Sequence, residues 1–442
     1  MLESTEKGGV RNSIHNCLTV FQHDPELSGA VAKNLLTERI DLLKPIGRKR
    51  RTGSKAMTDT DMKYIRLYLE KTYGLTSEKK IADAADLAAD ANSYHPIRDY
   101  LNGLVWDGKE RIRCCLRHFL GADTDNYTFQ SLRLFLLGAI HRAFCPGCKF
   151  EVMLCLVGGQ GAGKSTFFRF LAVRDEWFSD DLRKLDDDNV YRKLQGHWII
   201  EMSEMIATAN AKSIEDIKSF LSRQKETYKA PYEVHPKDHK RQCVFAGTSN
   251  TLDFLPLDRT GNRRFLPVQV QAEAAEVHIL EDEAASRAYI GQMWAEVMEV
   301  YRKGDVKLKL SPAMERYLKE HQRSFMPEDT LATRILNFLD EYGGKMVCSL
   351  QIYHEGLGHP DYEEPKQYDI RDINSIMKNY AAGWKAFENP RHFPPPYNRQ
   401  KGWERAEPPD NGGHGKSGFQ PLPEGEAVQL GLPEEWLEGE KP

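Results

Sequence analysis

Residues 151–172 read EVMLCLVGGQGAGKSTFFRFLA: a short apolar run from Glu151 to Val157, a glycine-rich loop, and an amphipathic stretch from Lys164 to Ala172. The run is short enough for a strand buried on both faces, and the stretch after the loop has helical spacing. Between them lies Gly-x-x-x-x-Gly-Lys-Ser, from Gly158 to Ser165, in strand, loop, helix order. Glycines let the backbone turn so that several N–H groups converge on phosphate oxygens, where a Cβ would intrude. The helix that follows adds the positive end of its dipole. The expected nucleotide cradle is therefore Gly158, Gly159, Gln160, Gly161, Ala162, Gly163, Lys164, Ser165 and Thr166, with ATP and Mg²⁺ as the expected ligands. Lys164 should reach the β and γ phosphates, and the Ser165 hydroxyl, with Thr166 as its substitute, should ligate the metal.

A phosphate cradle does not specify the reaction, so the neighbouring runs matter. Trp198-Ile199-Ile200 ends in Glu201, with Glu204 three residues on. An acid at the tip of a strand beside the cradle can hold Mg²⁺, and a second can orient the attacking water. Glu201 is the expected metal-side carboxylate and Glu204 the expected base, and the reverse order is also open. A third run, Cys243 to Gly247, ends in Thr248-Ser249-Asn250. A polar residue there can touch the γ-phosphate or the lytic water, Asn250 being the first choice and Thr248 the second. Arg263 and Arg264 follow in Asp258-Arg259-Thr260-Gly261-Asn262-Arg263-Arg264-Phe265. Paired arginines in that place suit an arginine finger acting on a neighbouring subunit's nucleotide.

The chain around these runs has 442 residues, 40% hydrophobic and 29% charged, an ordinary globular balance. No apolar run approaches the roughly 18 residues of a membrane span, and Met1-Leu2-Glu3-Ser4 does not open a secretory leader, so a cytoplasmic location is expected. Eight cysteines make no disulfide framework, and Cys145-Pro146-Gly147-Cys148 reads as thiols in a tight turn. The net charge of −4 hides a tail: residues 405–442 hold eight acids and three bases, leaving +1 for the rest.

We expect a basic N-terminal segment and linker over 1–58, containing Arg48-Lys49-Arg50-Arg51, then a helical domain over 59–150. An α/β core, a parallel sheet flanked by helices, should span 151–272, and a helical extension 273–326. Helices over Leu331 to Tyr342 and Asp369 to Tyr380, then strands around a Pro-rich loop, predict a winged-helix-like domain over 327–404. A disordered acidic tail over 405–442 closes the chain.

Several blocks in this order resemble the virulence-associated protein E family of phage and prophage proteins, itself similar to superfamily 3 helicases of the AAA+ class. They are Leu104 to Arg111 (LVWDGKER), Pro146 to Phe150 (PGCKF), the loop from Gly158, Trp198 to Glu204, and Ala246 to Asn250 continuing to Thr260 through Phe265. The resemblance implies an AAA+-type P-loop ATPase of mobile-element replication, a helicase working as a ring, hexameric or similar, with other replication proteins as further partners. Some members look like primase fusions, and the 60 or so residues before the helical domain are too few for a primase. Where the family has Asp and Arg before a Pro-Tyr pair, this chain reads Glu226-Thr227-Tyr228-Lys229-Ala230-Pro231-Tyr232, so Glu226 and Lys229 are given no catalytic role.

The residues also suggest a DNA site independently. Arg223 to Arg241 contains six bases and three acids around the turn His235-Pro236-Lys237-Asp238. Lys237, His239, Lys240 and Arg241 could track the phosphates of single-stranded DNA, with Tyr232 stacking on a base. Three functions compete: a DNA-moving ring ATPase, an element-encoded regulator that binds nucleotide and DNA without unwinding, and a small-molecule kinase.

Overall fold

The computed structural model describes residues 2–47, 54–182, 185, 190–204, 211–229, 236–257, 262–304 and 306–406. The Arg48 to Arg51 run and nearly all of the acidic tail lie outside them. The chain divides into two compact units, Met1–Glu328 and Asp329–Pro442.

The first unit opens with α1 (Ile14–His23), whose N-cap Ser13 accepts from the Asn16 amide. The antiparallel pair β1 (Val31–Asn34) and β2 (Arg39–Leu42) follows. Next come α2 (Asp59–Tyr73), with a Thr58/Asp61 capping box and a left-handed Gly74 at its end, and α3 (Glu78–Ala91). Cys17, Val20 and Phe21 of α1, Val31 of β1 and Leu42 of β2 share one core with Ile65, Leu69 and Ile81. The expected linker over 1–58 is thus corrected. Cys17, Val20 and Phe21 stand at i, i+3 and i+4, an apolar stripe that must be covered, and α2 and α3 cover it.

Helices α4 (Pro96–Asn102), α5 (Ile112–Leu120) and α6 (Asn126–Phe144) pack elsewhere. Their apolar side chains join the core of the sheet that follows, so the packing changes near residue 95 and not at 150. Helix α6 is buried almost all round, and Gly138 lets the Phe150 ring lie against it: an added Cβ would sit 2.2 Å from Phe150 Cζ.

The sheet is built by β3 (Met153–Val157), α7 (Lys164–Leu171), β4 (Phe178–Ser179), α8 (Val190–Leu194), β5 (Ile199–Ser203) and α9 (Ala211–Ser222). A separate antiparallel hairpin, β6 (Lys225–Tyr228) and β7 (Lys237–Lys240), intervenes, and β8 (Val244–Ser249) and β9 (Phe265–Gln269) complete the sheet. Five strands in the order β4-β5-β8-β3-β9 are parallel throughout. Alternate residues feed opposite faces. Leu154, Leu156, Ile199, Val244 and Leu266 pack with α6, α7 and α10 (Glu283–Arg302), whereas Met153, Cys155, Ile200, Met202 and Phe245 meet α8 and α9. Burial on both faces is why these strands read as unbroken apolar runs. The protein is therefore α/β, with a five-stranded parallel sheet flanked by helices. Helix α11 (Pro312–His321), followed by a 3₁₀ turn over Gln322–Phe325, ends the unit's regular structure.

From β3 the chain winds toward the β4 edge, and from β8 it crosses β3 to reach β9. β3 and β8 therefore flank the point where the winding reverses, and ligands of open parallel sheets bind beyond the carboxyl ends of such strands.

The second unit runs α12 (Thr330–Glu341), β10 (Met346–Cys348), α13 (Ser349–Gln351) with a π turn over Ile352–Gly356, and α14 (Gln367–Asn379). β11 (Trp384–Ala386), β12 (Arg391–His392), β13 (Arg399–Gln400) and β14 (Gly402–Arg405) follow. The antiparallel order is β10-β14-β11, with β12 and β13 a separate two-stranded ribbon. Ile335, Leu339, Ile373, Ile376, Met377 and Trp403 form its core.

Candidate functional site

The glycine loop leaves β3 at the reversal point. The Gly158 amide donates to Ser249 O at 3.1 Å, and a Cβ on Gly158 would sit 2.3 Å from Val270 O, so only glycine fits between β8 and the strand after it. Gly161 and Gly163 take positive φ of 82° and 83°, which turns the backbone into α7 at Lys164. Lys164 is only 7% exposed. Its ammonium donates to Gly158 O and Gly159 O, both at 2.7 Å, and to Asn250 Oδ1 at 3.0 Å, so all three of its protons are used. Burial pushes its pKa below the ordinary range, against the pull of Glu204 and Glu201.

One residue along α7, Ser165 Oγ donates to Glu201 Oε1 at 2.7 Å. Thr248 Oγ1, from the neighbouring β8, donates to the same oxygen at 2.6 Å. Glu201 is 1% exposed, and its Oε2 is a buried oxygen with no hydrogen-bond partner among the described residues. Burial pushes its carboxyl pKa up, and the two hydroxyls only partly oppose that. A buried carboxylate with one oxygen unanswered is a costly arrangement to keep without a purpose. Glu204 sits at φ 53°, in the left-handed region, with its amide donating to Thr248 O. That turn brings its Oε1 to the Asn250 amide at 3.0 Å.

Ser165, Asp180, Leu182, Glu201 and Ser203 line an open cleft of about 320 Å³. Lys164, Ser165, Glu201, Glu204 and Asn250 are thus brought together at the carboxyl ends of β3, β5 and β8. Thr248, the second choice after Asn250, instead supports Glu201. Asp180 was missed, because β4 has two residues and leaves no readable period ahead of it.

Arg263 and Arg264 are not brought there. They precede β9, and Arg264 O accepts from Met153 N at the start of β3, the end of the sheet opposite the glycine loop. Arg263 Nη2 donates to Glu151 Oε1 at 3.0 Å while its side chain stays 70% exposed. Arg264 is held more closely, by Ser222 Oγ at 3.1 Å and Glu151 Oε2 at 3.4 Å. Burial would push the Glu151 pKa up, but the Ser222 hydroxyl and the two guanidiniums hold it below the ordinary range.

The residues expected to meet DNA separate. Arg241 is 3% exposed, donates through Nε to Glu226 Oε1 at 2.8 Å, and lies 4.3 Å from the Phe220 ring centroid. It is corrected from a phosphate contact to a buried anchor for the hairpin, since the last residue of the basic run turns inward where β8 begins. Glu226, left without a role by its sequence, is the carboxylate that makes this burial tolerable. His239 stacks on Tyr228 at 3.9 Å between centroids and 18° between planes, with an 11% exposed side chain, so it also faces inward. Lys237 is half exposed and pairs with Glu38 at 3.0 Å, Lys240 is exposed, and Tyr232 lies outside the described residues.

Residues 101–327 match the virulence-associated protein E-like domain, and the chain belongs to that family. No curated protein matches it. Among solved structures it is similar to the A form apo structure of the NrS-1 C-terminal region (305–718), at 12% identity and a TM-score of 0.47 over 90% of this chain and 100% of that one. The apo structure of the NrS-1 C-terminal region (305–718) is similar at 15% identity and a TM-score of 0.40, over 85% and 95%. No helix among the described residues is long and apolar enough to cross a membrane.

Proposed function

We propose that this chain is an AAA+-type P-loop ATPase of mobile-element replication that hydrolyses ATP between the subunits of a ring and moves single-stranded DNA. The observation that carries the reading is the meeting of Lys164, Asn250, Ser165 and Glu201 at one end of the sheet. One ammonium, one amide, one hydroxyl and one buried carboxylate suit a triphosphate with a divalent cation. The unanswered Glu201 Oε2 is the strongest sign that the donor set fits a cation. Ser165 and Glu201 would hold Mg²⁺, which when bound neutralises charge on the phosphoryl oxygens.

Lys164 would bind the terminal phosphates, exchanging loop carbonyls for phosphate oxygens. Glu204, tied to the Asn250 backbone, would accept the proton of the attacking water, and the Asn250 amide would orient that water or the γ-phosphate. Arg263, exposed at the opposite end of the sheet, would reach the nucleotide of an adjacent subunit. Lys237 and Lys240 are the DNA contacts retained on the hairpin. The order of the second unit, a helix, a strand, two helices and then four short strands, supports a winged-helix-like reading.

ATP turnover measured with and without single-stranded DNA, beside native mass, tests this. DNA-stimulated hydrolysis by a multimer is the expected result. Phosphorylation of a metabolite by a monomer, or nucleotide binding without turnover, would replace the motor with a kinase or a regulator.

A further inference from the structure

Asp180 follows the short edge strand β4 and stands beside Glu201. β4 runs parallel to β5 in the register Phe178–Ile199 and Ser179–Ile200, so the next step sets Asp180 against Glu201. Side chains alternate between faces along a strand, and partners in a parallel register share a face. Phe178 and Ile199 pack with Phe167 and Phe168 of α7, so two residues further on Asp180 and Glu201 come out on the α7 side. Ser165 lies there, and all three residues line one cleft.

Neither carboxylate forms an ion pair among the described residues. Glu201 Oε2 is buried without a hydrogen-bond partner among them, and the exposed Asp180 side chain has none either. The adjacent Asp181 differs on both counts, since it pairs with Lys193 at 3.4 Å and does not line the cleft. Two like charges side by side are costly, and a divalent cation near both relieves the repulsion. Mg²⁺ keeps several of its waters, so a carboxylate beyond Ser165 and Glu201 can serve the cation through them. At about 30 Å³ per water, a cleft of about 320 Å³ has room for such a shell. A triphosphate without the cation would bring more negative charge to the same place.

We propose that Asp180 makes nucleotide binding depend on the metal, by accepting hydrogen bonds from the water shell of Mg²⁺ and by repelling a triphosphate that arrives without it. The inference rests on the ATPase reading of this cleft and adds to it a positioning residue from the edge strand.

The test is equilibrium binding of a fluorescent ATP analogue by the full chain, in EDTA and in saturating Mg²⁺. Asp180→Asn should bind the metal-free analogue more tightly than the parent, because a negative charge leaves the cleft. The factor by which Mg²⁺ tightens binding should shrink about 10- to 100-fold, the range for losing a group that supports a metal's ligands. Asp181→Asn should match the parent in both conditions, and Asp180→Glu, which keeps the charge, should keep most of the Mg²⁺ effect. An unchanged Mg²⁺ effect in Asp180→Asn overturns the proposal. Equal weakening in EDTA and in Mg²⁺ also overturns it and assigns the side chain to the fold, and an equal change in Asp181→Asn overturns it by reducing the effect to general charge. A parent that binds no analogue in either condition overturns the ATPase reading and this inference with it, whereas the other failures leave that reading standing.

Discussion

Ser165 and Glu201, 36 residues apart, are joined by a 2.7 Å hydrogen bond that ties the first turn of α7 to the middle of β5. The bond occupies one carboxylate oxygen and leaves the other buried without a partner among the described residues. The side chain is therefore a poor choice for stability and a good one for gripping a cation, a conflict typical of functional sites.

Glu201→Gln should separate these two roles. Burial raises the carboxyl pKa above its unfolded value, so the folded state holds the proton more tightly and the ionised group costs stability as pH rises through the folded pKa. Nucleotide-free Glu201→Gln should therefore melt a few degrees higher than the parent at about pH 8, with the gain shrinking as pH falls toward about 4. Its ATP turnover should drop by about 100-fold or more. A variant that melts alike at every pH would show that the carboxylate is already satisfied.

Lys164→Ala should lower kcat by about 100-fold or more, because it removes the ammonium that would meet the terminal phosphates. Asn250→Ala should bind nucleotide with near-parental affinity yet turn it over slowly, the pattern of an interaction made chiefly in the transition state. Equal losses in affinity and rate for Asn250→Ala would place its amide on the ground-state nucleotide.

Arg263 and Arg264 should behave differently despite their adjacency. Arg264→Ala removes a close partner from Glu151 and Ser222, so thermal melting should fall. Arg263→Ala takes away an exposed side chain and should leave melting near the parent, since exposed pairs contribute about 0–1 kcal/mol. Its effect should be on turnover, and mixing Arg263→Ala with Lys164→Ala should restore activity if sites are shared between subunits. No recovery in the mixture would remove Arg263 from catalysis in trans.

Arg241→Ala should destabilise the protein by about 3–5 kcal/mol, the range for stranding a buried ion's partner, readable by denaturant unfolding. Arg241→Met with Glu226→Leu should recover much of that loss. Lys237→Ala and Lys240→Ala should instead spare both stability and basal turnover while weakening single-strand binding and its salt slope. Normal single-strand binding by these two variants would move the DNA site off the hairpin.

The sheet and its loop were legible because their constraints are local. Gly158 faces a carbonyl, Gly161 and Gly163 need positive φ, and strands buried on both faces must be apolar from end to end. The Lys164, Glu201, Glu204 and Asn250 grouping was legible for a related reason, since Glu201 lies within β5, Glu204 and Asn250 follow directly on β5 and β8, and Lys164 closes the glycine loop that follows β3. What escaped depends on distant partners. Arg241 reads as surface charge until Glu226 and Phe220 are folded around it. The N-terminal core rests on four-residue strands and on packing against α2 and α3, neither of which leaves a period long enough to count.

Lys164 at one end of the sheet and Arg263 at the other give each copy a head and a tail. A contact that joins tail to head is heterologous, closing into a circle or growing as an open stack. Under such an arrangement a lone copy owns two half-sites and no whole one, an open stack always has one whole site fewer than it has members, and a closed circle has as many as members. Specific activity would then climb with each joint made and level off only on closure, so a rate measured against concentration would itself report whether the circle is complete.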